Sequence, residues 1–392
     1  MATIRRHVEL PCFVLCLLLL ALPSLSTASE AQSPSFEQVG HQIAAVMQER
    51  DEDAFMRLLN FRRLAERIAD TMVESEKDRE DFVRGFTRTA GPDNFAKAVF
   101  VNLQQRDDVR LKFMRMVDRD RERRALVRLD MGDAGFDYME FVLEADSTGT
   151  PKIVDWYSLS TGELLSVSVG GLSRLLVDPA PGLLKTFFGV QALDAEAVKR
   201  LRRVSELRSK GQWKEAYFEM EKLPPEIANS RLILTQRAGL ASALGDDDLY
   251  RSALEQLAQR YADQPSTAFM LIDHYLYKQD YDRCLQSIGY MEKRVGQDGL
   301  TYMLRANIHL LAKQLDESVR NAREGIRVEP DFAGPYFSLI EVLIAQERFP
   351  EAVEAFQDME TKFGYEFSSE LLEAEPTYAK FVASDAYKKW KH

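Results

Sequence analysis

The sequence predicts a multidomain protein in which an α+β domain, with helices first and an antiparallel meander sheet after them, precedes an all-α repeat region. Three observations predict this order. Helical periodicity opens the chain, alternation of apolar and polar residues follows it, and a 34-residue spacing recurs in the second half. The length of 392 residues allows two domains, since domains commonly have about 100 to 200 residues. A content of 45% apolar and 29% charged residues is typical of a globular protein.

Residues 1–28 have the pattern of a secretory signal peptide. A basic start is followed by an apolar run over residues 12–22 and then by Ser26 and Ala28, which have the small side chains that a signal peptidase requires. The run is too short for a membrane span, which needs about 20 residues. An uncleaved signal anchor is the alternative. We therefore expect an exported protein, periplasmic or extracellular, without a membrane span after signal cleavage.

Residues 35–176 are predicted to form the α+β domain. Apolar residues recur at helical spacing from Phe36 to Met72, and another pair of helices, broken at Gly91-Pro92, is expected within residues 82–103. The rhythm then changes to alternation, which is typical of strands, and short turn segments separate the alternating runs. Short connections favour an antiparallel meander. Five strands are expected, over residues 111–117, 126–131, 136–145, 153–158 and 164–169.

Helices followed by a curved sheet resemble the nuclear-transport-factor-2-like (NTF2-like) cone-shaped fold. The resemblance depends on element order and on the segment from Lys152 to Tyr157, and a cystatin-like or profilin-like arrangement fits the same order. In the NTF2-like family the cone encloses a cavity, which implies a small ligand, an active site or only packed side chains. Strand alternation favours the last of these, with the carboxylates on the solvent face. The candidate lining residues are Asp137, Tyr138, Glu140, Asp155, Trp156 and Tyr157.

A linker over residues 177–195 is expected to lead into the repeat region, residues 196–375. A capping helix is expected over residues 376–392, opened by Pro376 and carrying four aromatic residues. No single helical pair buries its apolar face by itself, so an array of pairs needs such a cap. We expect four to five repeats.

The repeat region is indicated by small residues that follow turn residues at a constant interval. Ser318 stands 34 residues after Cys284, and Ala352 stands 34 residues after Ser318. Ala253 is taken as a further member, 37 residues after Ala216 and 31 before Cys284. These unequal intervals predict loops of varying length in that part of the array.

The residues around this period resemble the tetratricopeptide repeat (TPR) family. In the unit that starts at Gly299, Tyr302 and Ala306 stand at the family's first aromatic and glycine positions, and Ser318 stands at its small position. The resemblance implies a superhelix of stacked helical pairs whose concave groove binds a protein or peptide. In the family, the first helix of each pair lines that groove. Carried over to this chain, the partner-binding residues are Phe269, Asp273, Met303, Asn307, Phe337 and Glu341.

Those six positions contain no lysine or arginine, so a clamp for a terminal carboxylate is not expected and a basic or neutral partner fits better. The net charge of -11 argues against nucleic acid as a partner. No HExxH, GxSxG or GxxxxGK[ST] motif occurs, so neither a metal nor another cofactor is expected.

We therefore expect a non-enzymatic binding or scaffold protein. One alternative is a small-molecule sensor or enzyme with its pocket in the N-terminal cone and the repeats as scaffold. Another is an envelope assembly factor that acts through both halves.

Overall fold

The computed structural model describes residues 33–391, except 73–74, 90, 101–102, 104–108, 133–134 and 171–194. The expected signal peptide and most of the expected linker lie outside the described residues. The chain divides into two compact units, which we call the sheet unit (Ala31–His274) and the C-terminal unit (Tyr275 onward).

Helices open the sheet unit, as predicted. Ser35 caps the first helix in a reciprocal capping box with Gln38, and Asp51 and Asn60 cap the next two. Such side chains satisfy backbone N–H groups that have no partner within the helix. The helices are α1 (Phe36–Glu49), α2 (Glu52–Leu58), α3 (Phe61–Asp70), α4 (Glu76–Thr89) and α5 (Pro92–Phe100).

An antiparallel meander follows, also as predicted, with each strand paired to the next along the chain. The turn between the first two strands contains Asp120 and Arg121, both with positive φ, as in the tight turns that suit the twist of a hairpin. The strands are β1 (Arg110–Arg119), β2 (Glu122–Asp130), β3 (Phe136–Ala145), β4 (Pro151–Ser158) and β5 (Glu163–Leu164).

The predicted fifth strand over residues 164–169 is wrong beyond its first residue. Residues 165–170 are helical. Leu165 and Val169 lie four positions apart and both pack against the core, which is the spacing of one helix face. The backbone N–H and the hydroxyl of Ser166 also donate to the carboxylate of Asp155, at 3.1 and 2.6 Å. These contacts hold residues 165–170 in their helical conformation against the core.

Both faces of the sheet are buried. Phe141 and Trp156, paired across β3 and β4, belong to the apolar core with the helices. The opposite face carries Arg124, Glu140 and Asp155, which are also buried. The expectation that carboxylates lie on a solvent face is therefore wrong. Residue alternation indicates which side chains share a face, but it does not indicate whether that face is covered.

Ten further helices within the described residues alternate along the chain, and we call them A and B helices and count them in pairs in chain order. The A helices are α6 (Ala195–Ser209), α9 (Arg231–Leu244), α11 (Ala268–Tyr277), α13 (Gly299–Leu311) and α15 (Gly334–Ala345), and α8 (Pro225–Ala228) lies between the first two pairs. The B helices are α7 (Trp213–Glu221), α10 (Asp247–Tyr261), α12 (Tyr281–Val295), α14 (Leu315–Val328) and α16 (Phe349–Phe363).

The B helices follow one another at a constant 34-residue interval. Their N-cap residues are Gln212, Asp246, Asp280, Gln314 and Arg348. The residue before each N-cap is left-handed, with φ of 69°, 63°, 56°, 59° and 57° along the chain. An identical turn thus occurs five times within the described residues, which confirms a helical repeat region.

This constant interval corrects the register assigned to Ala253. The residue that stands 34 positions after Ala216 and 34 before Cys284 is Tyr250, so a tyrosine occupies the small position of α10. The interval between the starts of successive B helices therefore does not vary, contrary to what the offsets of Ala253 implied. The segments that lead from each B helix to the next A helix do differ in length, and the lengths of the helices compensate for this.

Close backbone approach holds the pairs of the C-terminal unit together. The fully buried Ser318 of α14 donates its hydroxyl hydrogen to the carbonyl oxygen of Ala306 in α13, at 2.8 Å. A Cβ on Gly325 of α14 would lie only 2.8 Å from the Pro335 ring of α15. Small residues at these contacts are therefore required by packing.

Residues 376–391, expected as one capping helix, form a short 3-10 turn and two short helices. α17 (Ser369–Ala374), the 3-10 turn (Pro376–Tyr378), α18 (Ala379–Ala383) and α19 (Asp385–Lys391) end the chain. The ring of Phe356 in α16 is stacked against Phe381 and Trp390, with centroid distances of 5.4 and 5.0 Å. The last B helix is thereby covered by aromatic side chains.

Candidate binding surface on the A helices

Four of the six predicted partner-binding residues lie on two adjacent A helices of the C-terminal unit. Met303 and Asn307 are on α13, Phe337 and Glu341 are on α15, and the two helices pack against each other. Asn307 accepts a hydrogen bond from the hydroxyl of Ser338, the neighbour of Phe337, at 2.6 Å. These four residues, with Glu375 after α17, are called the A-helix surface below.

The apolar part of the A-helix surface consists of Phe337 and Met303, which are only half-buried. The ring of Phe337 meets the ring of Tyr365 edge to face, with centroids 5.2 Å apart. Met303, on the preceding A helix, is also half-buried, and its sulfur lies against the start of α15. Half-buried aromatic and thioether groups leave accessible apolar area that a partner's side chain can cover.

Its acidic part consists of Glu341 and Glu375, which are both exposed. Neither carboxylate has a cation partner among the described residues, although Glu375 accepts a hydrogen bond from the hydroxyl of Thr377, at 3.0 Å. Surrounding protein atoms displace part of the water around Glu341 and raise the pKa of its carboxyl, and the charge of Glu375 raises it further. Burial, followed by these two carboxylates, raises the pKa of Tyr378 to about 12. A cation placed here would neutralise two like charges.

The other two predicted residues belong to the sheet unit. Phe269 of α11 meets Phe136 of β3 edge to face, with ring centroids 5.1 Å apart, so its ring is in contact within the chain. Asp273 accepts a hydrogen bond from the hydroxyl of Tyr250, at 2.8 Å. Desolvation by neighbouring atoms raises the pKa of Asp273, and the bond from Tyr250 opposes that rise.

The candidate pocket carboxylates of the sheet unit are mostly held in ion pairs. Asp155, with no exposed area, accepts from Arg67 Nε at 3.0 Å. Glu140 lies 2.9 Å from Arg124 Nη1 and 3.3 Å from Arg119 Nε. Buried charges need such partners, because leaving water is costly for an isolated ion. These contacts connect α3 to β4, and β1 and β2 to β3, on one face of the sheet.

Asp137 is the exception, because it has no cation partner among the described residues. Its carboxylate accepts from the hydroxyls of Ser158 and Ser160, at 2.7 and 2.9 Å, and from two backbone N–H groups. Burial raises its pKa, and these hydrogen bonds oppose the rise. The carboxylate therefore anchors the turn that follows β4. Of the remaining candidates, Trp156 is in the core, and Tyr138 and Tyr157 are buried.

A polar depression of about 340 Å³ lies between α13 and α14. Its charged side chains are largely paired with one another or with neighbours, as Arg305 is with Glu292, at 2.5 Å. Over the described ranges, no group of three or more His, Cys, Asp or Glu side chains is arranged to hold a metal ion. The same ranges contain no helix that could cross a lipid bilayer.

Sequence reasoning did not assign Tyr365, Glu375 or Tyr378 to a binding surface. These residues follow the last helical pair, where the repeat pattern has no corresponding position. Their place beside Phe337 and Glu341 depends on how the segment after α16 folds back, and no local motif indicates this.

No family model matches the chain, and no curated protein matches it. Among solved structures, it is similar to MamA, residues 41 to the end, from Desulfovibrio magneticus RS-1, with 15% identity and a TM-score of 0.36 over 43% of this chain and 96% of that one. It is also similar to PilW, described as a widely conserved type IV pilus biogenesis factor, with 10% identity and a TM-score of 0.37 over 51% of this chain and 92% of that one. Scores of this size carry no conclusion beyond the chain's own geometry. The turn that recurs five times within the described residues, at a constant 34-residue interval, establishes a helical repeat region.

Proposed function

We propose that this protein binds a segment of another protein through the A-helix surface and works as a non-enzymatic scaffold. The observation that supports this most is the pair of exposed glutamates, Glu341 and Glu375, which have no cation partner in the described part of the chain and lie near the half-buried ring of Phe337. Like charges left close together are unfavourable, and a basic side chain from a partner relieves them. The aliphatic stem of such a side chain can also cover the ring.

The preferred partner is therefore a basic or neutral peptide segment with an apolar residue beside its positive charge. The side-chain amide of Asn307 supplies hydrogen bonds to the backbone of such a segment. Since the A-helix surface contains no cation, a partner that presents a terminal carboxylate is disfavoured.

We also propose that the protein is exported. The pattern of residues 1–28 supports this, and the candidate compartments are the periplasm and the extracellular space. Amino-terminal sequencing of protein recovered from an envelope or secreted fraction tests it. A start at residue 29 is expected, whereas an intact first residue on cytosolic protein would contradict export.

For residues 35–176 we propose the NTF2-like arrangement, with packing rather than catalysis as its role. The order of five helices and an antiparallel meander supports that comparison. Asp155 and Glu140, the carboxylates best placed for a pocket, are paired with arginines, which favours a structural role over acid–base chemistry.

Partner capture with a matched pair of variants tests the A-helix surface. Phe337→Ala combined with Glu341→Ala removes one apolar and one acidic group from it. Glu324→Ala combined with Arg327→Ala removes an exposed ion pair from α14, away from it. We expect a partner recovered quantitatively from an envelope fraction to be lost with the first variant and kept with the second. Equal recovery with both variants would refute the proposal.

A further inference from the structure

Two segments of residues 35–176, which we call the sheet domain, contact A helices that belong to the same compact unit. Phe136, the first residue of β3, packs on Phe269 of α11. The turn after β4 contacts α9, because Arg231 donates from Nη1 to the carbonyl oxygen of Thr161, at 2.8 Å, and from Nη2 to Glu163, at 2.7 Å. An aromatic contact and a charge-assisted hydrogen bond thus join the sheet domain to two successive A helices.

The backbone also approaches closely at Gly162. Its φ is +71°, and a Cβ at this position would lie 2.9 Å from the Cβ of Ser266 and closer still to the Ser266 carbonyl oxygen. Ser266 lies just before α11. Only a residue without a side chain fits between this turn and α11 at that distance.

The turn is held in this position by the sheet itself. Asp137 accepts hydrogen bonds from Ser158 and Ser160 at the start of the turn, and Asp137 is adjacent to Phe136 in β3. One buried carboxylate therefore fixes both segments that contact the A helices. The turn that approaches Ser266 at Gly162 is therefore fixed within the sheet before it meets α11.

We propose that residues 35–176 are an internal occupant of the A-helix face around Phe269, and that they compete with outside partners for this face. The resemblance to the TPR family implies partner binding for Phe269, yet its ring contacts Phe136 of the same chain. Phe269 is half-buried, and Phe136 covers part of its ring. A partner that covers the whole ring has to displace Phe136, and the group that replaces Phe136 is another apolar or aromatic side chain. This inference is independent of the function proposed for α13 and α15.

Amide hydrogen exchange on the full chain, compared between two glycine variants, tests the inference. Gly162→Ala places a Cβ against Ser266 at a positive φ. Gly149→Ala, in the turn between β3 and β4, places a Cβ at a similar φ of +81° with no atom within 4 Å. Both variants carry the same kind of backbone strain, and only the first disturbs the contact with α11.

We expect peptides covering residues 266–277 to exchange at least about tenfold faster in Gly162→Ala than in Gly149→Ala. Exchange over β3 should stay equal in the two variants. If Gly162→Ala unfolds the sheet as well, Phe136→Ala becomes the deciding variant, since it removes the ring contact without backbone strain. Exchange over residues 266–277 that matches Gly149→Ala in both Gly162→Ala and Phe136→Ala would overturn the proposal.

Discussion

Gly325 provides a sharp test of how tightly the helical pairs of the C-terminal unit pack. A Cβ on this residue of α14 would lie 2.8 Å from Pro335 Cγ, 2.9 Å from Pro335 Cβ and 3.2 Å from Tyr302 Cβ. Neither the proline ring nor the first side-chain carbon of a helical tyrosine can rotate away. Replacing Gly325 with alanine should therefore push α14 away from both neighbouring A helices.

The magnitude follows from two opposing effects. Alanine gains about 1 kcal/mol over glycine from helix propensity, whereas forcing a methyl group into a packed contact costs roughly 1–3 kcal/mol. We expect Gly325→Ala to lower the free energy of unfolding by about 1 kcal/mol. Gly289→Ala in α12 is the matched control, because its Cβ would meet only Arg305 Nη2, at an ordinary 3.8 Å. That variant should gain about 0.5–1 kcal/mol.

Urea titration followed by circular dichroism measures both variants. The difference between them isolates the packing effect, since both glycines lie in B helices of the same unit. Equal stabilisation by the two substitutions would refute the close approach of α14 to Pro335.

Three further changes have definite expected outcomes. Lys313→Gly should raise the free energy of unfolding in urea titration by about 0.5–1 kcal/mol, because the left-handed backbone disfavours a side chain. Gly245→Ala at the equivalent turn should lower the free energy of unfolding for the same reason. If Lys313→Gly were destabilising and Gly245→Ala stabilising, the repeated turn would be contradicted. Arg67→Ala leaves the fully buried carboxylate of Asp155 without its cation and should cost about 3–5 kcal/mol, so an unchanged melting temperature would contradict the buried ion pair. Folding raises the pKa of the Glu341 carboxyl, so its ionisation opposes folding once the pH rises above the pKa of the carboxyl in the unfolded chain. Glu341→Gln should therefore have a higher melting temperature than the native protein at pH 7. At pH 3, where the carboxyl is protonated in both states, the two melting temperatures should be equal.

The repeat was predictable because its signals are local. A B helix begins after a turn in which a backbone N–H reaches the carbonyl oxygen five residues earlier, as from Gln314 to His309, at 2.8 Å. The residues that form this turn, and the small residue that follows it, lie close together in the sequence. Tyr250 concealed one copy, because the small position there is filled by a large side chain. Ala253 was chosen in its place, although it lies almost one helical turn further on.

The arrangement of the sheet unit was less predictable, because it depends on distant contacts. Arg67 and Asp155 are separated by 88 positions, and Phe136 and Phe269 are far apart in the sequence as well. The alternation of β4 correctly placed Asp155 opposite Trp156, yet it could not indicate that both faces are buried. The contact of Phe269 with Phe136 is of the same kind, since the repeat pattern predicts that Phe269 faces the groove but does not indicate which residue packs against its ring.

Site-specific photo-crosslinking in cells tests most directly whether recognition occurs on the A helices. A photoreactive phenylalanine analogue replaces Phe337 in one version of the protein and the exposed Arg327 of α14 in another. The account predicts a discrete covalent adduct with another protein from position 337 and none from position 327. Adducts from position 327 together with none from position 337 would place recognition on the B helices and contradict the account.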